Sequence, residues 1–426
     1  MTAAGATDAL TRLVAERETV LAGFLEAEQE RLARACHDMA RAFAQGGLLI
    51  PFGAGAARTD AAHVAVEFMH PVIVGKRALP ALAGADGRAG DIALGLAHRP
   101  GDQQVSHFLE SAAARGLLTI AFAPDRIDAD HSFVVASDDP WVVQEVQETA
   151  YHVLWELVHV FFDHPGLLQE ACITCGDVAV EVDVVDVDGA TATVERGGAR
   201  EQVGIDLVPD ARPGDRLLCH AGVALERVEH DAAAFLYAAD DDLDAVLAHV
   251  RASTVSKGRD TIALRRTLDL DRVRACGDAI GAALGRGARV LTFGNGGSAT
   301  DAMDLALDLR ELGAPAAALV DDVSTITAVG NDVGFDNVFA RQLIPLARPG
   351  DVAFAISTSG SSANIVAALE EAHRREMTTC AITGYDGGRL AERDWLDHLI
   401  VVSGDYVPRL QEAHATAYHL LLEGLP

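Results

Sequence analysis

One pattern occurs twice in this 426-residue chain, and the stretch between the two occurrences obeys a different rule. "LLIPFGAGAARTDAAHVAVEF" (48–68) and "VLTFGNGGSATDAMDLALDL" (290–309) each read as an apolar strand, a glycine turn and a helix. A charged amphipathic helix ending near a cysteine precedes each, "RLARACHDMARAF" and "RVRACGDAIGAAL". Each half closes on a helix, "WVVQEVQETAYHVLWELVHVFF" and "YVPRLQEAHATAYHLLLEGL". Strands alternating with helices predict parallel sheets covered on both faces, hence an α/β fold used twice. The middle, "DVAVEVDVVDVDGATATVERGGAREQVGIDLVPDARPGDRLLCHAGVALERVE", alternates valine with polar residues and is cut by Asp-Gly, Gly-Gly and Pro-Gly-Asp. That pattern predicts short antiparallel strands closing into a small β-barrel or sandwich. The expected domains are 1–168 (α/β), 169–232 (barrel), 233–262 (a helical connector) and 263–426 (α/β).

Composition narrows the partners. A net charge of −29 argues against nucleic acid and against anionic membrane surfaces. It also opposes capture of phosphates, so any phosphate site must be built locally. The start, "MTAAGATDALTRLVAERETV", lacks the basic flank and apolar core of a secretory signal, and the chain reads as cytoplasmic. Six cysteines in this length are no disulfide framework; only Cys172 and Cys175 stand as a Cys-x-x-Cys.

Two loops of the second half are suited to an anion. "GNGGSATDA" sets Asn295 and Ser298 among glycines before a helix, where backbone N–H groups approach a ligand closely. "AFAISTSGSSANI" sets Ser357, Thr358, Ser359, Ser361 and Ser362 between a strand and a helix. Ordinary helix capping accounts for one of those hydroxyls, not five.

With "VDDVSTITAVGNDVGFDNVFARQL", "AITGYDGG" and "RLQEAHATAYH", these loops resemble the SIS (sugar isomerase) fold, most closely its phosphoheptose isomerase branch. The resemblance covers about residues 265–426, and more faintly 20–165. It implies two doubly wound sheets of SIS type flanking the barrel in sequence, a small phosphorylated sugar such as sedoheptulose 7-phosphate as ligand, and a homo-oligomer. It implies phosphate contacts from Ser357, Thr358, Ser359 and Ser362 with Ser298 nearby, and sugar contacts from Asn295 and Asp322. Isomerisation needs a base beside the carbonyl and an acid for its oxygen, and family members also carry zinc or another divalent metal on His, Glu, Gln and His.

In the second half those four positions read Asp304, Asp308, Gln411 and His419; Gln411 also falls among the substrate contacts, and Asp308 and His419 among the catalytic candidates. Two depart from the pattern. Aspartate is a methylene shorter than glutamate, and replacing His by Asp favours harder metals. In the first half they read His63, Glu67, Gln144 and His152, all of the family type, with Glu67 and His152 as the acid–base candidates. His63 and Glu67, four apart, share a helix face. Gln144 and His152 lie about 12 Å apart along a helix, so one ion reaches both only with stretched side chains or with ligands drawn from different copies. The first half lacks the hydroxyl cradle, since "GAGAA" and "LGLAHRPGDQQ" stand in its place. The expectation is a composite site, with phosphate held by the second half and His63, Glu67 and His152 presented by the first.

"CITCGDVAVEV" and "ARPGDRLLCHAGVALERVE" resemble the HypC family of chaperones in nickel–iron hydrogenase maturation. That resemblance implies iron handled by Cys172 or Cys175 with His220, and partners among hydrogenase maturation proteins or the hydrogenase large subunit. With the SIS resemblance it makes a hydrogenase-maturation accessory protein that binds a sugar phosphate the expected function, and a sedoheptulose 7-phosphate isomerase with an accessory β domain the alternative. The cysteine pair also suits half a zinc site or a redox pair.

Overall fold

In this computed structural model the structure describes residues 3–73, 76–168, 180–196, 199–220, 223–227 and 242–425. The chain forms two compact units, Met1–His159 with His249–Pro426, and Val160–Ala248. Both α/β copies therefore belong to one unit.

The chain opens on a long helix, α1 (Ala3–Ala44). The first copy follows: β1 (Leu49–Gly53), α2 (Arg58–Met69), β2 (Ile92–Leu96), α3 (Gln103–Ala114), β3 (Leu118–Ala123), β4 (His131–Val134) and α4 (Pro140–Phe162). Its sheet is parallel in the order β1-β2-β3-β4. All five residues of β2 are buried, as a strand covered by helices on both faces requires.

The second unit is built on β5 (Val180–Asp188), β6 (Thr191–Arg196), β7 (Ala199–Gly204), β8 (Arg216–His220) and β9 (Val223–Arg227). These close into a barrel, β5-β6-β7-β9-β8, around Val182, Val184, Val194, Val203, Leu217 and Cys219. The alternating valines thus point inward, and closure removes the exposed edges that so small a sheet would carry.

The second copy comprises α5 (Leu243–Arg265), α6 (Leu270–Gly285), β10 (Val290–Gly294), α7 (Gly297–Glu311), β11 (Ala316–Ala318), α8 (Val323–Asp332), α9 (Ala340–Leu346), β12 (Val352–Ser357), α10 (Ala363–Arg374), β13 (Thr378–Thr383), α11 (Gly388–Ala391), β14 (His398–Val401) and α12 (Val407–Leu422). Its parallel sheet runs β11-β10-β12-β13-β14. The expected fold class is the one the structure has, and the duplication holds at the level of single atoms. Asp91 and Asp351 each accept two backbone N–H groups in matching turns. Asp130 and Asp397 close the same hydrogen-bonded ring with Thr119 and Thr379. Where the second copy has β11, the first keeps a single bridge, Leu49 to Ala81.

The expected connector is more than a link. On α5, Lys257 pairs with Glu156, Thr261 donates to Glu412, and Arg265 lies 3.2 Å from Glu145. Helix α1 binds the copies together: Thr7 donates to Asp271 of the second copy, while Asp38 meets His131 of the first. Among the described residues no helix is long and apolar enough to cross a membrane.

Candidate functional site

In the second copy β10 has β11 on one side and β12 on the other, so the chain winds away in opposite directions from the gap between β10 and β12. Such a switch point opens a crevice at the carboxyl ends of the strands. Gly294 and Ile356 pair at those ends, and the glycine turn and the serine loop leave from them side by side. Asn295 and Asn364 exchange amide hydrogen bonds of 3.0 and 2.8 Å, tying turn to loop.

The serine loop is not spent on capping. Ser362 stands at the N-cap of α10 but makes no side-chain cap bond. At the matching place in the first copy, Asp102 accepts from the N–H groups of Gln104 and Val105. Ser361 instead accepts from the Arg389 N–H, and Ser359 Oγ from the Ser361 N–H. Ser357 and Ser298 are buried, Thr358 is half-buried and Ser359 is exposed. Asp322 is exposed and caps α8, accepting from the N–H groups of Ser324 and Thr325 and from the Thr325 hydroxyl. Its carboxylate is therefore engaged locally.

Helix α2 of the first copy packs against α7 of the second, and brings His63 and Glu67 to the glycine turn. A Cβ placed on Gly297 would lie 1.9 Å from Gln411 Nε2, 2.7 Å from His63 Nε2 and 3.1 Å from Glu67 Oε1. Glycine is required there because Gln411 of the same copy and His63 and Glu67 of the first fill the space. The matching residue of the first copy is Ala56, which lines a cavity together with Asp308.

Four residues converge at this point. His63 Nε2 lies 3.7 Å from Glu67 Oε1. Gln411 Nε2 lies 3.0 Å from His63 Nε2 and 3.4 Å from Glu67 Oε1. Donor atoms of His63, Glu67 and His152 fall within 4.8 Å of one another. All four are buried. Carboxylates hold the outer nitrogens of both rings: Asp301 stands 3.5 Å from His63 Nδ1, and Glu412 stands 3.0 Å from His152 Nδ1. Such partners aim each Nε2 at a common point.

These donors fit a divalent cation. Glu67 Oε2, His152 Nε2 and Gln411 Oε1 are buried without hydrogen-bond partners among the described residues. Turning the Gln411 amide over places its oxygen where its nitrogen now stands.

The glutamine in this set is Gln411, from the second copy. Gln144 lines a different cavity, of about 560 Å³, with Trp141 and Asp308 in its wall. Asp308 belongs to a second convergent group, with Asp304 and His419. On α12, Gln411 meets His63 and Glu67 while His419 faces Asp304 and Asp308. On α4, His152 joins His63 and Glu67 while Gln144 shares one cavity wall with Asp308 and another with His63 and Asp304. Asp308 and His419 thus stand apart from the His63 and Glu67 set.

Burial pulls the His63 imidazole down, but Glu67, Asp301 and Asp60 outweigh it and hold its pKa above the ordinary value. Burial acts to raise Glu67, yet His63, His152 and the Gln411 amide keep it below the ordinary glutamate value. Burial, together with Asp301, Glu412 and Asp60, raises Glu148 well above the carboxylate range. Sequence reasoning missed Glu148, and also Asp60, Asp301, Glu145 and Glu412. The doubled motif Gln-Glu-x-x-x-Thr-Ala-Tyr-His at 144–152 and 411–419 carried the signal for the last two.

In the barrel, His220 ends β8, paired with Val223 of β9. Cys219 is buried, which pushes its thiol up to about 11. Cys172 and Cys175 lie outside the described residues.

The SIS domain family model matches residues 259–384, and the HupF/HypC family model matches 178–239. The phosphoheptose isomerase of Geotalea daltonii is 44% identical over 158 residues, 36% of this chain and 81% of that protein. The phosphoheptose isomerase of Desulfovibrio desulfuricans is 41% identical over 194 residues, 43% of this chain and 87% of that protein. The chain belongs to the phosphoheptose isomerase family. In fold alone, this member of the phosphoheptose isomerase family is also similar to the C-terminal domain of glucosamine-fructose-6-phosphate aminotransferase from Francisella tularensis. That likeness has a TM-score of 0.55 at 9% identity, and covers 96% of this chain and 92% of the other, both α/β copies included.

Proposed function

We propose that the chain is a sugar-phosphate aldose–ketose isomerase with one composite site, assembled across its two α/β copies, and that sedoheptulose 7-phosphate is its substrate. The carrying observation is the contact of Gln411, from the second copy, with His63 and Glu67, from the first, within a Cβ's reach of Gly297. The serine loop leaves the strand end beside the glycine turn that His63 and Glu67 approach, which supports one shared site.

The phosphate rests on Ser357, Thr358, Ser359 and Ser362 at the start of α10, where hydroxyls and the helix N-terminus receive an anion without lysines. Asn295, held by Asn364, orients the sugar. Glu67 lifts the proton from the carbon beside the carbonyl and returns it to the neighbouring carbon. His152, steadied by Glu412, moves the matching proton between the two oxygens. A divalent ion held by His63, Glu67, His152 and the Gln411 oxygen would polarise those oxygens.

Turnover of sedoheptulose 7-phosphate by the purified chain tests the reading. Glu67→Gln lowers kcat by about 100-fold or more, whereas Ser359→Ala acts mainly through KM. Undiminished turnover in Glu67→Gln removes the proposal.

A second reading concerns the barrel, and its support is the HupF/HypC match at 178–239. The barrel docks a partner of nickel–iron hydrogenase maturation, and iron is handled through Cys172 or Cys175 with His220. The match begins just after the cysteine pair. Anaerobic co-purification tests this: iron and a maturation partner are retained by the wild type and lost in Cys175→Ala or Cys172→Ala. Absence of both from the wild type defeats it.

A further inference from the structure

We propose that Thr261, on the helix α5 that precedes the second copy, is a positioning residue for His152: its hydroxyl fixes Glu412, and Glu412 fixes the imidazole. The kinetic consequence rests on the isomerase reading; the effect on the donor set of His63, Glu67, His152 and Gln411 does not.

Three fully buried side chains stand in line. Thr261 Oγ1 donates to Glu412 Oε2 at 2.5 Å, and Glu412 Oε1 lies 3.0 Å from His152 Nδ1. Arg409 Nη1 closes the group, donating to Thr261 Oγ1 at 3.2 Å and to Glu412 Oε2 at 3.1 Å. The last torsion of a glutamate side chain is soft, so one partner alone leaves its carboxylate free to turn. With Oε2 held by Thr261 and Arg409, the plane of the carboxylate is set, and with it the position of Oε1.

The threonine departs from what a helix asks of it. A buried threonine on a helix ordinarily donates to the carbonyl four residues back, as Thr254 of α5 does to Val250 at 2.9 Å. Thr261 has that acceptor too, the Lys257 carbonyl at 3.1 Å. A hydroxyl carries one proton, and the nearer, charged acceptor is the stronger partner.

The other copy reaches the same arrangement by another route. There Thr416 Oγ1 donates to Glu145 Oε2 at 2.6 Å, and Glu145 Oε1 meets His419 Nδ1 at 2.9 Å. In the doubled motif Thr149 matches Thr416. Its hydroxyl, however, donates at 3.2 Å to the carbonyl of Glu145 in its own helix. The hydroxyl that Glu412 receives comes instead from α5, outside both closing helices. A hydroxyl, a carboxylate and an imidazole in line therefore occur twice, built from non-matching threonines, which ties the hydroxyl to the carboxylate rather than to the helix that carries it.

The test replaces Thr261 by valine, which keeps the shape and removes the O–H, and by serine, which keeps the O–H. Zinc(II) alone is titrated into the full-length, chelator-stripped chain against a chromophoric chelator, and the ion followed is the one whose binding Glu67→Gln abolishes. Thr261→Val weakens that ion by about 10-fold or more, as loss of an orienting partner does. It lowers kcat for sedoheptulose 7-phosphate by a similar factor and leaves KM within about twofold. Thr261→Ser restores both. Weakened zinc binding in Thr261→Val with no turnover in any form, wild type included, supports the positioning role and removes the isomerase reading. A lower melting temperature in Thr261→Val with wild-type zinc affinity overturns the proposal, and so does a loss in Thr261→Ser equal to that in Thr261→Val.

Discussion

The imidazole of His152 is held by a carboxylate of the other copy, Glu412, whose Oε1 lies 3.0 Å from Nδ1. The relationship is reciprocal, since His419 Nδ1 meets Glu145 Oε1 at 2.9 Å. Each copy therefore orients the histidine that the other displays, and neither arrangement survives separation of the two.

Replacing Gly297 by alanine drives a methyl group into Gln411 and His63. Overpacking of this kind costs about 1–3 kcal/mol, and it displaces the acid–base set as well. Gly297→Ala is expected to lose isomerase turnover by about 100-fold or more, since ångström-scale misplacement has that effect. Steady-state kinetics beside a thermal melt measure both losses.

The serine loop and its counterpart separate ligand binding from capping. Because Ser362 caps nothing, Ser362→Ala should change stability by less than about 0.5 kcal/mol while raising KM. Asp102→Ala, which removes a working cap, should cost about 1 kcal/mol. Urea denaturation of the two variants checks the contrast. Equal losses would mean that both residues serve only their helices.

Acid should weaken the contact between copies through Glu412. Burial alone would raise its pKa, but Arg409, His152 and Thr261 hold it at about 2. A depressed folded-state value stabilises the protein above the unfolded value, near 4.5, and that contribution drains away as pH falls toward about 2. A shift of this size corresponds to a few kcal/mol, at about 1.4 kcal/mol per unit. Wild type and Glu412→Gln, compared by denaturant unfolding between pH 7 and pH 2, should converge as the pH drops. A constant difference would show that the charge of Glu412 is not what matters.

Arg17 joins the copies from outside the sheets. Its Nε lies 2.9 Å from Glu145 of the first copy and its Nη2 lies 3.3 Å from Glu423 of the second. Removing one partner of a fully buried pair costs about 3–5 kcal/mol. Arg17→Met should fall near the lower figure, because Arg265 still faces Glu145. The wild-type α/β unit should unfold in one calorimetric step, and the variant should lower that step or split it.

Much of the architecture was open to reading along the chain. Strands, glycine turns and helices are local patterns, so the two α/β copies could be placed from periodicity, and the alternating valines announced a barrel. The serine loop and the His63–Glu67 pair were equally plain, since both lie within one helical turn or one loop.

Contacts between distant segments were another matter. Spacing shows that Gln411 and His419 share a helix, but not that one meets His63 and Glu67 while the other faces Asp304 and Asp308. That division follows from how α4 and α12 pack between the copies. The pairing of Glu145 and Glu412 with each other's histidines, and the reach of α1 and α5 across both copies, depend on the same packing. Hydrophobic period and turn chemistry are properties of neighbours in sequence. Which buried carboxylate meets which imidazole depends on long-range packing that leaves no local trace, and only the folded chain decides it.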